Sequence, residues 1–155
     1  MSVEIERKFL VINDNWRSLG QGKVYKQGYI GTADKMTTIR VRIIGEEAYL
    51  TIKSKTEGIS RNEFEYPIPL EDAQIILDTL CDRPLIEKIR YKIDYDNLIW
   101  EVDEFKGENQ GLILAEVELE NENQTINIPD WVGEEVSHDP RYYNVNLVKH
   151  PYQTW

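Results

Sequence analysis

Charged residues recur in this chain as same-sign pairs two positions apart: Glu4/Glu6, Arg40/Arg42, Glu63/Glu65, Lys88/Arg90, Glu101/Asp103 and Glu116/Glu118. In an extended strand that spacing puts both side chains on one face, ~6.5–7 Å apart. Like charges so placed repel, and a merely solvated face has no reason to prefer them. The acidic pairs offer oxygen ligands, the donor type hard divalent cations take. The basic pairs, with Lys8 and Lys53, offer the bidentate fork of Arg and the point charge of Lys, and both suit phosphate. Faces of both signs that converge on one interior would hold a metal and a phosphate together. An enclosed set of a single sign would be heavily penalised, because an uncompensated buried ion costs several kcal/mol.

The segments carrying these pairs alternate with period two. Residues 3–11 set Val3, Ile5, Phe9 and Val11 against Glu4, Glu6, Lys8 and Leu10. Residues 38–43, 48–53, 61–66, 88–95, 100–103 and 115–120 repeat the pattern, and a further strand is expected over about 23–31. Gly45-Glu46-Glu47, Glu57-Gly58 and Asp96-Asn97 read as hairpin turns, and short connections favour antiparallel pairing. A helix is expected over 70–80, with Leu70, Ala73, Leu77 and Leu80 on one stripe. A second is expected from Asp139-Pro140, an Asp cap with Pro at the first helical position, to about Lys149. Residues 13–22, with Trp16, read as a loop or short turn. The fold class is therefore mainly β with a few helices (α+β), an eight-stranded antiparallel closed β-barrel formed by one domain over residues 1–155. Closure removes exposed strand edges.

The opposite face of strand after strand is apolar and must pack on the helices or on a partner subunit, so a homodimer is one expectation. Trp100 falls on that face and reads as core. A net charge of −10 disfavours generic nucleic-acid binding and adhesion to anionic membranes. No apolar run approaches a membrane span and no signal peptide is evident, so the cytoplasm is the expected location. Cys81 stands alone, which leaves no internal disulfide and no CxxC site. His138 and His150 lack metal-motif or triad company and read as surface residues. Neither a GxxxxGK[ST] loop nor a GxGxxG fingerprint occurs.

Glu4-Ile5-Glu6-Arg7-Lys8 is an ExExK motif, followed in order by Arg40-Val41-Arg42, Lys53, Glu63-Phe64-Glu65, Glu87-Lys88-Ile89-Arg90, Glu101-Val102-Asp103 and Glu116-Val117-Glu118. The ordered set resembles the CYTH-domain proteins of the triphosphate tunnel metalloenzyme family. Gln27-Gly28-Tyr29 and Asp139-Pro140-Arg141-Tyr142-Tyr143-Asn144 resemble its short bacterial members, which are similar to inorganic tripolyphosphatases. The resemblance implies a tunnel that hydrolyses a small-molecule triphosphate with Mg2+ or Mn2+. It implies Lys8, Arg40, Arg42, Lys53 and Arg90 as triphosphate ligands. It implies Glu4, Glu6, Glu116 and Glu118 as metal ligands, with Asp103 close by. It implies Lys88 as a proton donor and Tyr29 as its modulator. Glu63 and Glu65 read as charge balance along the tunnel rather than as ligands, and the role of Glu101 is open. A class IV-type adenylate cyclase, a thiamine or nucleoside triphosphatase, and a non-catalytic triphosphate binder are the alternatives.

Overall fold

The computed structural model describes residues 2–155. Nine strands follow in chain order: β1 Ser2–Val11, β2 Gly22–Ile30, β3 Thr38–Ile44, β4 Glu47–Lys53, β5 Ser60–Ile68, β6 Ile86–Tyr95, β7 Leu98–Phe105, β8 Ile113–Glu118 and β9 Val132–Glu135. The two α-helices are α1 Leu70–Thr79 and α2 Asn144–Lys149. The sheet runs β5-β4-β3-β2-β6-β7-β8-β1, and β5 pairs again with β1, so eight antiparallel strands close a barrel. The closing seam is short among the described residues: Ser2–Ile5 pairs with β5, across Glu63–Ser60. The other edge of β1 pairs Glu6–Leu10 with Glu118–Leu114 of β8. No helix among the described residues is long and apolar enough to cross a membrane.

The turns form where their chemistry allows. Asp96 (φ 50°) and Asn97 (φ 64°) are both left-handed, as the two-residue β6–β7 hairpin requires. At Gly58 (φ 62°) the chain doubles back through the Glu57–Ser60 bridge before β5.

Alternation divides each strand between two environments. Outward residues of β1, β6, β7 and β8 — Phe9, Ile93, Trp100, Val102, Ala115 and Val117 — form one core with Trp16 and Trp131. Trp16 reaches it from a 3-10 turn at Asn15–Ser18, in the stretch read as a loop or short turn. The outer face of β3 and β4 packs Val41 and Ala48 against Ala73 and Leu77 of α1. Leu80, expected on that stripe, is the C-cap residue and is exposed.

Two further expectations needed correction. The helix expected from Asp139 to Lys149 is broken. Asp139 caps a 3-10 turn over Pro140–Tyr142, Tyr143 is extended, and α2 begins only at Asn144. An unbroken helix would use the Tyr142 carbonyl internally; here it accepts a hydrogen bond from Lys8 Nζ at 3.1 Å. The ninth strand, β9, lacks the alternation that marked the others. It lies along the C-terminal part of β1, pairing at Phe9 and Val11.

The inward face changes character toward one end. There Tyr29, Ile86, Phe105 and Leu114 meet Tyr142, Leu147 and Val148, and this apolar plug seals that end with α2.

Candidate functional site

Strand register decides which charges meet inside the barrel. Glu6 lies opposite Glu118, and Lys8 lies opposite Glu116. Arg90 lies opposite Asp103, Arg40 opposite Thr51, and Lys53 opposite Glu63. Closure then brings β5 and β4 around to β1, so Lys53 reaches Glu4 at 2.9 Å and Arg61 reaches the same oxygen at 3.2 Å.

Three carboxylates, Glu4, Glu6 and Glu118, place ligand oxygens within 4.8 Å of one another. Burial and the charges of Glu116 and Glu4 push the Glu6 carboxyl well above the usual carboxylate range. Glu118 stands at the water-exposed rim; desolvation, with Glu4 and Glu63 nearby, pushes it up to about 7. Desolvation also acts on Glu4, but Lys53 and Arg61 overcome it and hold Glu4 down at about 2. A crowded oxygen-only set, short of compensating cations at two of its three members, matches the donor preference of a hard divalent ion.

Asp103 and Glu116 are placed differently. Both Asp103 oxygens are engaged: Arg90 donates to Oδ1 at 2.7 Å and to Oδ2 at 2.8 Å, and Lys88 donates to Oδ2 at 2.7 Å. Glu116 lies 3.4 Å from Lys8 Nζ and 3.8 Å from Arg90. Burial opposes ionisation of both, yet these cations hold both below the usual range, Glu116 strongly so. Glu101 adds a 3.2 Å pair with Arg90, and Glu63 a 3.3 Å pair with Lys53. Glu65 accepts from the Thr51 hydroxyl at 3.0 Å and lies 3.5 Å from Arg40.

The cations are less evenly matched. Arg42 has no carboxylate partner among the described residues; its Nε donates to Gln27 Oε1 at 3.1 Å, and its guanidinium lies 5.0 Å over the Tyr25 ring. Arg90 lies 5.1 Å over the same ring. Burial, then the like charges of Arg40 and Arg90, pull the Arg42 pKa down to about 10. The Arg40 Nε is buried without a hydrogen-bond partner among the described residues. Lys88 is 1 % exposed; burial, aided by Arg90 and Arg42 and opposed by Asp103, lowers it to about 7. Half-buried Arg42 and the unpartnered Nε of Arg40 on β3 thus line the same barrel as a carboxylate cluster on β1 and β8. An anion with many oxygens would relieve the first, and a cation the second.

Tyr29 sits at the plug boundary, where its hydroxyl accepts from Gln27 Nε2 at 2.7 Å. Trp100 is fully buried outside the barrel wall, and His138 and His150 are exposed, as their sequence settings implied. Sequence reasoning did not single out Gln27, Thr51, Arg61 or Asn144 as site residues. Gln27 and Thr51 each stand two positions from a named site residue on the same strand, which was the available signal. Asn144 stands in the sequence only as the end of the Asp139–Asn144 motif, without a role of its own, because it is the packing of α2 that brings it to Lys88.

Fold and interior define a class: a closed antiparallel β-barrel with a lumen lined by charge of both signs and sealed at one end. The chain belongs to the CYTH domain family, whose model matches residues 2–152. It is 52 % identical to an inorganic triphosphatase of Acetivibrio thermocellus, over 100 % of this chain and 99 % of that protein. It is 36 % identical to an inorganic triphosphatase of Nitrosomonas europaea, over 93 % of this chain and 95 % of the relative. The crystal structure of the inorganic triphosphatase NE1496 superposes with a TM-score of 0.66 at 33 % identity, covering 93 % of this chain and 96 % of that one.

Proposed function

We propose that this protein is an inorganic triphosphatase that hydrolyses tripolyphosphate to pyrophosphate and phosphate within the barrel, with Mg2+ or Mn2+. The observation that carries the reading is the imbalance inside the lumen. Among the described residues Arg42 has no carboxylate partner and the Arg40 Nε no hydrogen-bond partner, while Glu4, Glu6 and Glu118 crowd within 4.8 Å. The family match and the relatives named inorganic triphosphatase support it.

Glu4, Glu6 and Glu118 would hold the divalent ion, with Glu116 beside them. Bound there, the ion supplies charge neutralisation of phosphate oxygens and an acidified water. Arg40, Arg42, Arg90, Lys8 and Lys53 bind and orient the phosphate chain, and phosphoryl transfer depends mainly on such positioning and electrostatics. Arg90 is held by Asp103 and Glu101, so its fork is preorganised. Lys88 Nζ holds the proton that meets the leaving pyrophosphate; a group poised near neutrality is suited to that transfer. Tyr29, tied to Gln27, shapes the wall beside it. The apolar plug excludes water from the sealed end.

The test is a phosphate-release panel over tripolyphosphate, ATP, thiamine triphosphate and pyrophosphate, with Mg2+, with Mn2+ and with EDTA. Fastest release from tripolyphosphate, dependent on the metal, is expected. Cyclic AMP formed from ATP without released phosphate, or tight triphosphate binding without turnover under either metal, would overturn the reading.

A further inference from the structure

We propose that Asn144, the first residue of α2, is a positioning residue for Lys88, and that Gln27 holds Asn144 in turn. The inference rests on the triphosphatase reading, with Lys88 as the proton-bearing group.

Lys88 Nζ donates to two acceptors, Asp103 Oδ2 at 2.7 Å and Asn144 Oδ1 at 2.9 Å. A lysine ammonium sits on a flexible four-carbon stem and carries about 2 kcal/mol of rotamer entropy. Without Asn144 the Lys88 ammonium would keep one hydrogen-bond acceptor, Asp103, beside the Phe105 ring at 5.5 Å. A second acceptor from a different element fixes the ammonium in two directions, and so fixes where its third N–H points.

Asp103 and Lys88 belong to paired barrel strands. Asn144 belongs to the plug, where Leu147 and Val148 are packed against Ile86, Phe105 and Leu114. That packing holds the amide in place. A second donor faces the same Asn144 oxygen at the outer limit of a hydrogen bond: Gln27 Nε2 lies 3.5 Å from it. Gln27 is wholly buried, and its own ends are committed, Oε1 to Arg42 Nε at 3.1 Å and Nε2 to the Tyr29 hydroxyl at 2.7 Å. One buried amide therefore links Arg42 and Tyr29 to the oxygen that Lys88 uses. The arrangement ties the plug to the proton donor and gives the break before α2 a purpose: an unbroken helix would carry Asn144 elsewhere.

The experiment is a kinetic double-mutant cycle on tripolyphosphate with Asn144→Ala, Lys88→Ala and the double variant, alongside Leu77→Ala, in the α1 core away from the plug, as a stability control. Asn144→Ala should lower kcat ~10–100-fold, the scale of a small misplacement of a reacting group, and leave KM within about twofold. In the Lys88→Ala background the same change should cost nothing further, because coupled residues are non-additive. Leu77→Ala should lower Tm yet keep kcat near wild type. Multiplicative losses in the cycle, or an equal kcat loss in Leu77→Ala, would overturn the positioning role. Absence of turnover in the wild-type protein would instead overturn the reading beneath it.

Discussion

The barrel wall separates two faces of opposite chemistry. Outside, Trp100, Val102, Ala115 and Val117 pack against Trp131 and Phe9, with Trp100 edge-on to Trp131 at 5.8 Å. Inside, residues adjacent in sequence to these — Glu101, Asp103, Glu116 and Glu118 — face cations or one another. The outer face is apolar and closes on itself, with the indole N–H groups of Trp16 and Trp100 left without a hydrogen-bond partner among the described residues. The inner face is left with unmatched charge. The protein thus keeps its stability and its chemistry on the two sides of the same strands, and a step of one residue passes from one to the other.

That division can be broken from either side. The largest effect is expected inside. Glu6→Ala should lower phosphate release about 1000-fold, roughly 4 kcal/mol of transition-state stabilisation, and EDTA should do as much to the wild type. Circular dichroism should show the fold intact in both cases. Outside, Trp100→Ala should cost about 3–5 kcal/mol of stability, read by denaturant melts, while kcat measured well below the transition stays near wild type. A comparable loss of kcat would mean that the two faces are not independent.

Smaller effects sharpen the comparison. Arg42→Ala removes a cation with no carboxylate partner among the described residues. It should raise KM ~10–100-fold, the loss of charge-assisted bonds of about 1.5–3 kcal/mol, without lowering Tm. Glu6→Gln should lose metal-dependent turnover as Glu6→Ala does, yet raise the Tm of the metal-free protein, a small effect equivalent to up to ~1 kcal/mol of relieved like-charge repulsion. A fall in Tm would show that Glu6 serves the fold. The smallest effect is at the plug entrance, where Asp139 accepts from the Arg141 N–H. Asp139→Ala should cost about 0.5–1 kcal/mol, as lost caps do. Hydrogen bonds from Arg141 hold the Asp139 pKa below its ordinary value. The contribution is therefore present above the unfolded carboxylate pKa and disappears as pH falls through the lower folded one. Wild type and variant should converge in thermal melts at acidic pH.

Most of the architecture was legible because it is local. The alternation of Ile39, Val41 and Ile43 with Arg40 and Arg42 named both the strand and its inward face. The turn residues Asp96 and Asn97 marked a hairpin that formed. β9 was not legible: Val132-Gly133-Glu134-Glu135 has no period-two signal and becomes a strand because β1 offers an edge beyond its β5 pairing. The break at Tyr143 was equally hidden: the Tyr142 carbonyl it frees takes its hydrogen bond from Lys8, far away in sequence.

What the sequence by itself determined is the pleat: which residues of each strand face inward, and hence that the lumen carries both signs of charge. Backbone geometry sends alternate side chains to opposite faces, and that rule needs no distant partner. Only the tertiary structure decided who meets whom. Register and closure gathered Glu118 with Glu4 and Glu6, turned Asp103 to Lys88 and Arg90, and carried Asn144 to the proposed proton donor. Those pairings depend on strand offset and on the seating of the plug, quantities set by the whole packed barrel rather than by any one segment.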